Sequence, residues 1–374
     1  MENLSTVELI SLSGLQGVGD HRSVYFTLTL LTYLLIISVN LTLIFIIVHE
    51  KTLHEPMYIF LCNLSANSLY GTTGFYPKIL LDLLSDVHVI SYNLCLIQIY
   101  VIYTSVLCET PILTVMAYDR YVAICRPLQY HTIMTPLMVK TMLFFAWCVP
   151  LSWIVIATLC TFKLPLCGSH IDKLYCDNWS VVKLSCVPNT VNNVLGYIMI
   201  TLEITQAFFT LYSYYCIVRV CLKSKEGRSK FMQTCLPHLI AMVNFMIATL
   251  FDVMYSRYGS DRLPLTLRNI MAVEFLVIPP LFNPIIYGLN LQKIRSTLFK
   301  CLAEQVTLLS HSAWSNLQVL FCASLEKTCS CSDSGPLFPI AYVAMPSLSQ
   351  FLSHSTFGAA PLAVVSWCGI AGTP

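Results

Sequence analysis

The chain is 374 residues long, 56% of them hydrophobic and 11% charged, with a net charge of +2 and a mean hydropathy of +0.70. Soluble domains carry about 25% charged residues, so this chain lacks the polar side chains to coat a water-facing globule. Its small net charge points to no nucleic-acid partner, and what remains is an all-α membrane protein.

Residues 1–23 are predicted to form an extracellular amino terminus. They contain acids and lack a basic start ahead of an apolar core, so no cleavable signal peptide is read there and the first span serves as its own insertion signal. Apolar segments follow at 24–48, 57–84, 94–118, 139–161, 194–221, 231–255 and 266–288. Each is long enough to cross a hydrocarbon core of about 30 Å at about 1.5 Å per residue. The second is interrupted by Lys78 and Asp82, and the sixth by Pro237, His238 and Asp252. The link after the fifth, "RVCLKSKEGRSK", carries Arg219, Lys223, Lys225, Arg228 and Lys230 against Glu226 alone. Lys293, Arg295 and Lys300 follow the seventh. The loop after the second segment holds Asp82, Asp86 and His88 instead. Basic loops stay cytoplasmic, which puts the amino terminus outside and the end of the third segment, with its adjacent Asp119 and Arg120, inside.

Most of the 17 cysteines lie in apolar helices, where a thiol behaves as a small buried hydrophobe. Cys95, Cys167, Cys176 and Cys186 fall on the outer side, where oxidation is allowed. Four cysteines permit three pairings, and their spacing lacks the tight pairs of a zinc module. Of the Asn-x-Ser/Thr triplets, Asn40 and Asn63 lie inside spans, whereas Asn3 and Asn178 are outside and open to glycosylation.

Several strings narrow the reading. "LHEPMYIFLCNLS" (53–65), "MAYDRYVAICRPLQYHTIMT" (116–135), "KFMQTCLPHL" (230–239) and "PPLFNPIIYGLN" (279–290) resemble the signature segments of vertebrate odorant receptors, a branch of the rhodopsin-like G-protein-coupled receptors. The likeness runs over about 24–302. It implies a seven-transmembrane helix bundle in that range, closed on the cytoplasmic side by a short amphipathic helix at about 291–302. It also implies a small odorant as ligand, a heterotrimeric G protein of the stimulatory, olfactory type raising cyclic AMP, arrestin and a receptor kinase as further partners, and lipid around the bundle. The location implied is the plasma membrane of olfactory cilia, and no enzymatic activity is expected.

Residue roles follow from the same likeness. Asp119, Arg120 and Tyr121 are the triplet in which Arg is restrained by Asp at rest and released toward the G protein. His238, Asn283, Pro284 and Tyr287 belong to the inner ends of the sixth and seventh helices, which rearrange on activation. Pro284 cannot donate its backbone N–H and should loosen the seventh helix, with Asn283 offering a partner to the freed groups. On the third helix Tyr103, Val106, Leu107 and Thr110 share one face, in the outer half where the family binds odorants. By resemblance the pocket continues with Met199, Leu202, Glu203, Met246, Thr249, Leu250, Val253 and Leu276. Met246 replaces a common Tyr, and Asp252 and Arg257 lie at the outer rim to meet a polar or charged odorant. The family pattern pairs Cys95 with Cys176, leaving Cys167 for Cys186. Glu109, about 16 Å up the helix from Arg120, is the acid that contributes to an internal sodium site in the family. Its usual partner acid on the second helix is Ser68 here, so protonated Glu109 bonded to Ser68 or Asn283 is the competing reading. No other cofactor is implied.

Residues 303–374 depart from the pattern and are read as an atypical cytoplasmic extension, disordered or spurious; prolines at 336, 339, 346 and 361 argue against an eighth crossing. Two other function classes fit the sequence less well. A transporter would show internal repeats, and none is seen. An intramembrane enzyme needs convergent catalytic groups at mid-depth, where Glu109 stands alone.

Overall fold

A computed structural model describes residues 8–16, 18–223, 225–231, 235–259, 265–290 and 293–297. Asn3 and the extension 303–374 lie outside the described residues. Among the described residues seven long helices form the bundle: α1 (Arg22–His49), α2 (Pro56–Leu84), α3 (Tyr92–Cys125), α4 (Pro136–Phe162), α5 (Thr190–Cys221), α6 (Leu236–Tyr258) and α7 (Leu265–Asn290). Local chemistry sets several starts. Ser91 caps α3 by accepting from the Leu94 N–H, Thr135 caps α4 at Met138, and Pro56 and Pro136 occupy first-turn positions where a missing N–H costs nothing. Six of the seven contain a stretch long and apolar enough to cross a membrane. The exception is α2, and burial explains it. Its Asn63, Ser65, Asn67, Ser68 and Thr72 all face the interior, and Lys78 pairs with Asp82 one turn along.

The centre is α3, which packs against α2, α4, α5 and α6. Its contact with α2 is very close. A Cβ on Gly71 would lie 2.2 Å from Ser105 Oγ, so only glycine permits that approach. Asn67 Nδ2 donates to the Ser105 carbonyl at 2.9 Å, and Ser105 Oγ returns a bond to the Asn67 carbonyl at 3.2 Å. Both mid-span triplet asparagines are structural. Asn63 Oδ1 accepts from Trp147 Nε1 at 3.3 Å, and Asn40 Nδ2 donates to the Pro280 carbonyl at 2.8 Å.

That last bond corrects one expectation. Pro284 has no N–H to give the carbonyl four residues back, which belongs to Pro280. The donor that replaces it comes from α1, not from Asn283.

The helical reading also missed a small outer sheet. Strand β1 (Leu9–Leu12) pairs antiparallel with β2 (Val89–Ser91), Ile10 opposite Ile90, and parallel with β3 (His170–Ile171). The amino-terminal segment is thereby stitched to the loop after α4. Ile10, Leu12, Ile90 and Ile171 bury against Cys95, Cys176 and Val181 in one apolar cluster. On the inner side, 293–297 is helical, with Ile294 buried and Lys293 2.6 Å from Glu55.

Candidate functional site: an outer cavity above an inner ion pair

Two disulfides shape the outer face. Cys95 at the head of α3 is bonded to Cys176, and Cys167 to Cys186. The first pulls residues 176–179 across the bundle mouth, where Gln98 secures them by accepting from the Cys176 N–H at 2.9 Å. Beneath this roof is a cavity of about 140 Å³, close to the roughly 150 Å³ that holds benzene in an engineered apolar core. Tyr103, Val106, Leu107, Met199, Glu203, Met246, Thr249, Leu250 and Val253 line it. Three expected wall residues do not. Leu202 is 41% exposed on the outside of α5, and Thr110 is buried off the wall. Leu276 belongs to a second, smaller cavity.

The sequence reading missed the α4 wall (Trp153, Ile154, Ala157) and the roof residues Asp177 and Trp179. The roof was inferable once Cys176 was tied to Cys95, because the next residues must then cross the opening. Asn178 lines the same cavity, and its Oδ1 accepts from Thr161 Oγ1 at 2.7 Å. Its carbonyl oxygen is thereby engaged in the bundle, while Nδ2 is the atom that a glycan would take.

The roof is locked to α6 by a buried cation. Lys173, 6% exposed, lies 2.9 Å from Asp252 and 3.4 Å from Asp177 and donates to Ser256 Oγ at 2.5 Å. Burial alone would depress its pKa. The two carboxylates, Asp177 first, outweigh that and hold it above the ordinary lysine value. Tyr103 donates to the same Asp252 at 3.4 Å, so Asp252 is engaged from two sides and is not a free rim acid. Arg257 does line the cavity.

Below the cavity, Asn283 Nδ2 donates to Glu109 Oε1 at 3.2 Å. The adjoining space, bounded by Ser68, Ser105 and Glu109 among others, is only about 10 Å³, the volume of one water. Its polar groups are one carboxyl, already bonded to Asn283, the hydroxyls of Thr72 and Ser105, which donate to backbone carbonyls, and a Ser68 hydroxyl without a partner. With a single carboxyl and the volume of one water, this space fits a water molecule. No step below is routed through sodium.

At the inner end, Arg120 donates through Nε and Nη2 to Asp119 Oδ2 at 3.0 and 2.6 Å. Asp119 is wholly buried. Its other oxygen accepts from Tyr130 at 2.8 Å, a partner the sequence reading did not single out. Burial first, then the Asp119 charge, hold the Tyr130 phenol above its ordinary pKa, so it remains a donor. Tyr121 packs against the inner α3–α5 cluster of Ala117, Tyr214, Ile217 and Cys221. Tyr214 and His238 share a hydrogen bond, and the buried Tyr287 ring lies 6.2 Å from that of His238. Asn283, Pro284 and Tyr287 are all on α7.

Comparison with known proteins agrees with this arrangement. The olfactory receptor family model matches residues 29–305. Mouse "Olfactory receptor 8A1" is 36% identical over 310 residues, covering 82% of this chain and 99% of its own length. Human "Olfactory receptor 4E1" is 33% identical over 308 residues, covering 82% and 96%. Mouse "Olfactory receptor 2C1" is 33% identical over 297 residues, covering 78% and 94%. A multi-pass helical bundle with this match over most of its length is a receptor and not an enzyme, and the chain belongs to the olfactory receptor family of G-protein-coupled receptors.

Proposed function

We propose that this receptor binds a small odorant in the roofed outer cavity and, in response, activates a stimulatory heterotrimeric G protein to raise cyclic AMP. The observation that carries this reading is the pairing of a roofed, largely apolar cavity at one end of α3 with a largely buried ion pair at the other. Tyr103 and Arg120 are seventeen residues apart, about 25 Å along the helix, so ligand and G protein never touch. The signal travels as a repacking of α3, α6 and α7, with Met246, Glu109 and Asn283 at intermediate depth.

In the resting arrangement Asp119 holds the Arg120 guanidinium with an attraction of about 4 kcal/mol at an effective dielectric near 20. An agonist that prefers the arrangement with Arg120 released needs a differential affinity of that order to shift the population. Arrestin and a receptor kinase would read the same exposed inner face, and the working site would be the ciliary membrane of an olfactory sensory neuron. The internal acid Glu109 sets the balance between the two arrangements.

Expression at the cell surface with an odorant panel and a cyclic AMP readout tests the reading. The expected result is a ligand-evoked rise that disappears in cells lacking the stimulatory G protein and in Arg120→Ala at matched surface levels. A rise that survives both losses would overturn it.

A further inference from the structure

The outer ends of α6 and α7 and the loop after α4 enclose a second space, more polar than the roofed cavity and sharing only Ser256 with it. It is a hollow of about 260 Å³ whose wall includes His170, Asp172, Ser180, Lys183 and Arg268. Ser180 and Lys183 are three residues apart on the short outer helix Asn178–Lys183, so they share one face of it. Arg268 comes from the first turn of α7. Cations from two separate elements therefore border one space.

Donors outnumber acceptors there. Lys173 also borders the hollow, but its ammonium is occupied by Asp252, Asp177 and Ser256 Oγ. Lys183 Nζ donates to the Ser256 carbonyl at 2.6 Å, and an ammonium has two further N–H groups. Arg268 Nε is buried without a hydrogen-bond partner. Among the described residues neither Lys183 nor Arg268 has a carboxylate within 4.0 Å. Asp172, the one acid on the wall, already accepts from Ser13 Oγ at 2.6 Å and pairs with His170 at 2.9 Å. A charged guanidinium with a buried, unanswered N–H is costly, and an anion in the hollow would remove that cost. A concave basic surface also concentrates anions at its mouth.

We propose that this hollow binds a tetrahedral oxyanion, either free phosphate or sulfate or the head of one of their monoesters, held by the Arg268 fork, Lys183 Nζ and the Ser180 hydroxyl. A guanidinium presents parallel N–H groups that match two oxygens of such an ion. The ammonium and the hydroxyl meet the remaining oxygens from the outer helix. Leu184 and Tyr255 complete the wall and give a small substituent on the ion an apolar surface. The bound anion ties the outer helix to α7, beside the bond that Tyr175 makes to the Ala272 carbonyl at 3.2 Å. It thereby braces the roof from outside the odorant cavity. The site does not depend on the odorant reading, and its failure leaves that reading untouched.

The test uses the purified full chain in a phosphorus-free detergent at constant ionic strength, with inorganic phosphate, sulfate, phenyl phosphate and chloride as probes. Phosphate binding is read from the phosphorus NMR linewidth and the bracing from the melting temperature. The expected result is saturable broadening that sulfate displaces and an equal concentration of chloride does not, with a rise in melting temperature. Arg268→Gln should weaken phosphate binding about tenfold, the value of one charge-assisted contact. Arg268→Lys, which keeps the charge but not the fork, should retain part of the affinity and serves if the glutamine variant does not fold. Val106→Phe, which fills the odorant cavity, should leave phosphate binding as it was. Phenyl phosphate binding more tightly than phosphate would assign the site to a monoester, and equal or weaker binding would assign it to the free ion. The proposal is overturned by an absence of saturable broadening or by displacement with chloride as readily as with sulfate. Binding that is unchanged in both Arg268→Gln and Lys183→Gln, or lost in Val106→Phe, would overturn it as well.

Discussion

Replacing Asn40 with Leu isolates one bond that joins α1 to α7. Asn40 is completely buried, and its Nδ2 supplies the donor that Pro284 cannot give to the Pro280 carbonyl. Leu is close in volume, so the change removes the donor with little cavity. An orphaned buried carbonyl costs about 1–3 kcal/mol, which should lower the melting temperature by several degrees at about 2–4 °C per kcal/mol. The decisive comparison is the same substitution in a Pro284→Ala background. Alanine restores an amide N–H one helical turn after Pro280, so the carbonyl no longer depends on Asn40, and the cost of Asn40→Leu should fall below about 1 kcal/mol. The coupling between the two sites, about 1–2 kcal/mol, is measured by thermal melts of the four variants in one detergent. Equal costs in both backgrounds would show that the Asn40 side chain does not stand in for the missing proline donor.

Other consequences are equally direct. Asp119→Asn should raise basal cyclic AMP by weakening the restraint on Arg120. Tyr130→Phe should do so less strongly, because it removes one bond to Asp119 and leaves the ion pair; basal activity at matched surface levels checks both. Cys95→Ser should reduce surface staining and cavity binding more than Cys167→Ser, since the first bridge spans 81 residues and carries the roof while the second spans 19 within one loop. Lys173→Met should loosen the roof from α6 and leave Asp177 and Asp252 as buried, uncompensated acids; a fall in melting temperature at neutral pH that acidification reverses is the expected signature.

The helices were legible because each had to be apolar over a membrane thickness, a constraint that composition records directly. The second helix shows the limit of that signal. Its polar residues look like a weak span in sequence, and only the packing against α3 explains why Asn67 and Ser68 are inside. The amino-terminal strand was not legible, because its pairing with Val89–Ser91 and His170–Ile171 joins segments about 80 and 160 residues away. Local pattern carries no information at that range. In the cavity, the α3 stripe was readable from helical spacing for Tyr103, Val106 and Leu107, yet Thr110 turned out to lie off the wall. Leu202 next to Glu203 shows the same sensitivity, since one residue of helix rotation, about 100°, separates cavity from lipid. Trp179, Arg257 and Gly196 converge from a short outer helix (Asn178–Lys183) and two spanning helices, and no sequence spacing announces such a meeting. Tyr130 sat in plain view within the longest signature string, but its bond to Asp119 depends on how the chain turns after α3.

The central claim is that ligand identity is read in the outer cavity while the inner ion pair sets whether the receptor signals. Agonist-driven nucleotide exchange on a stimulatory G protein tests it most directly, with a panel of chemically unlike agonists and receptor variants reconstituted at equal density. Val106→Phe and Leu107→Phe should reorder agonist potencies and leave basal exchange nearly unchanged, whereas Glu109→Gln should shift every agonist by a common factor. A common scaling from Val106→Phe together with a reordered preference from Glu109→Gln would invert the two layers and contradict the account.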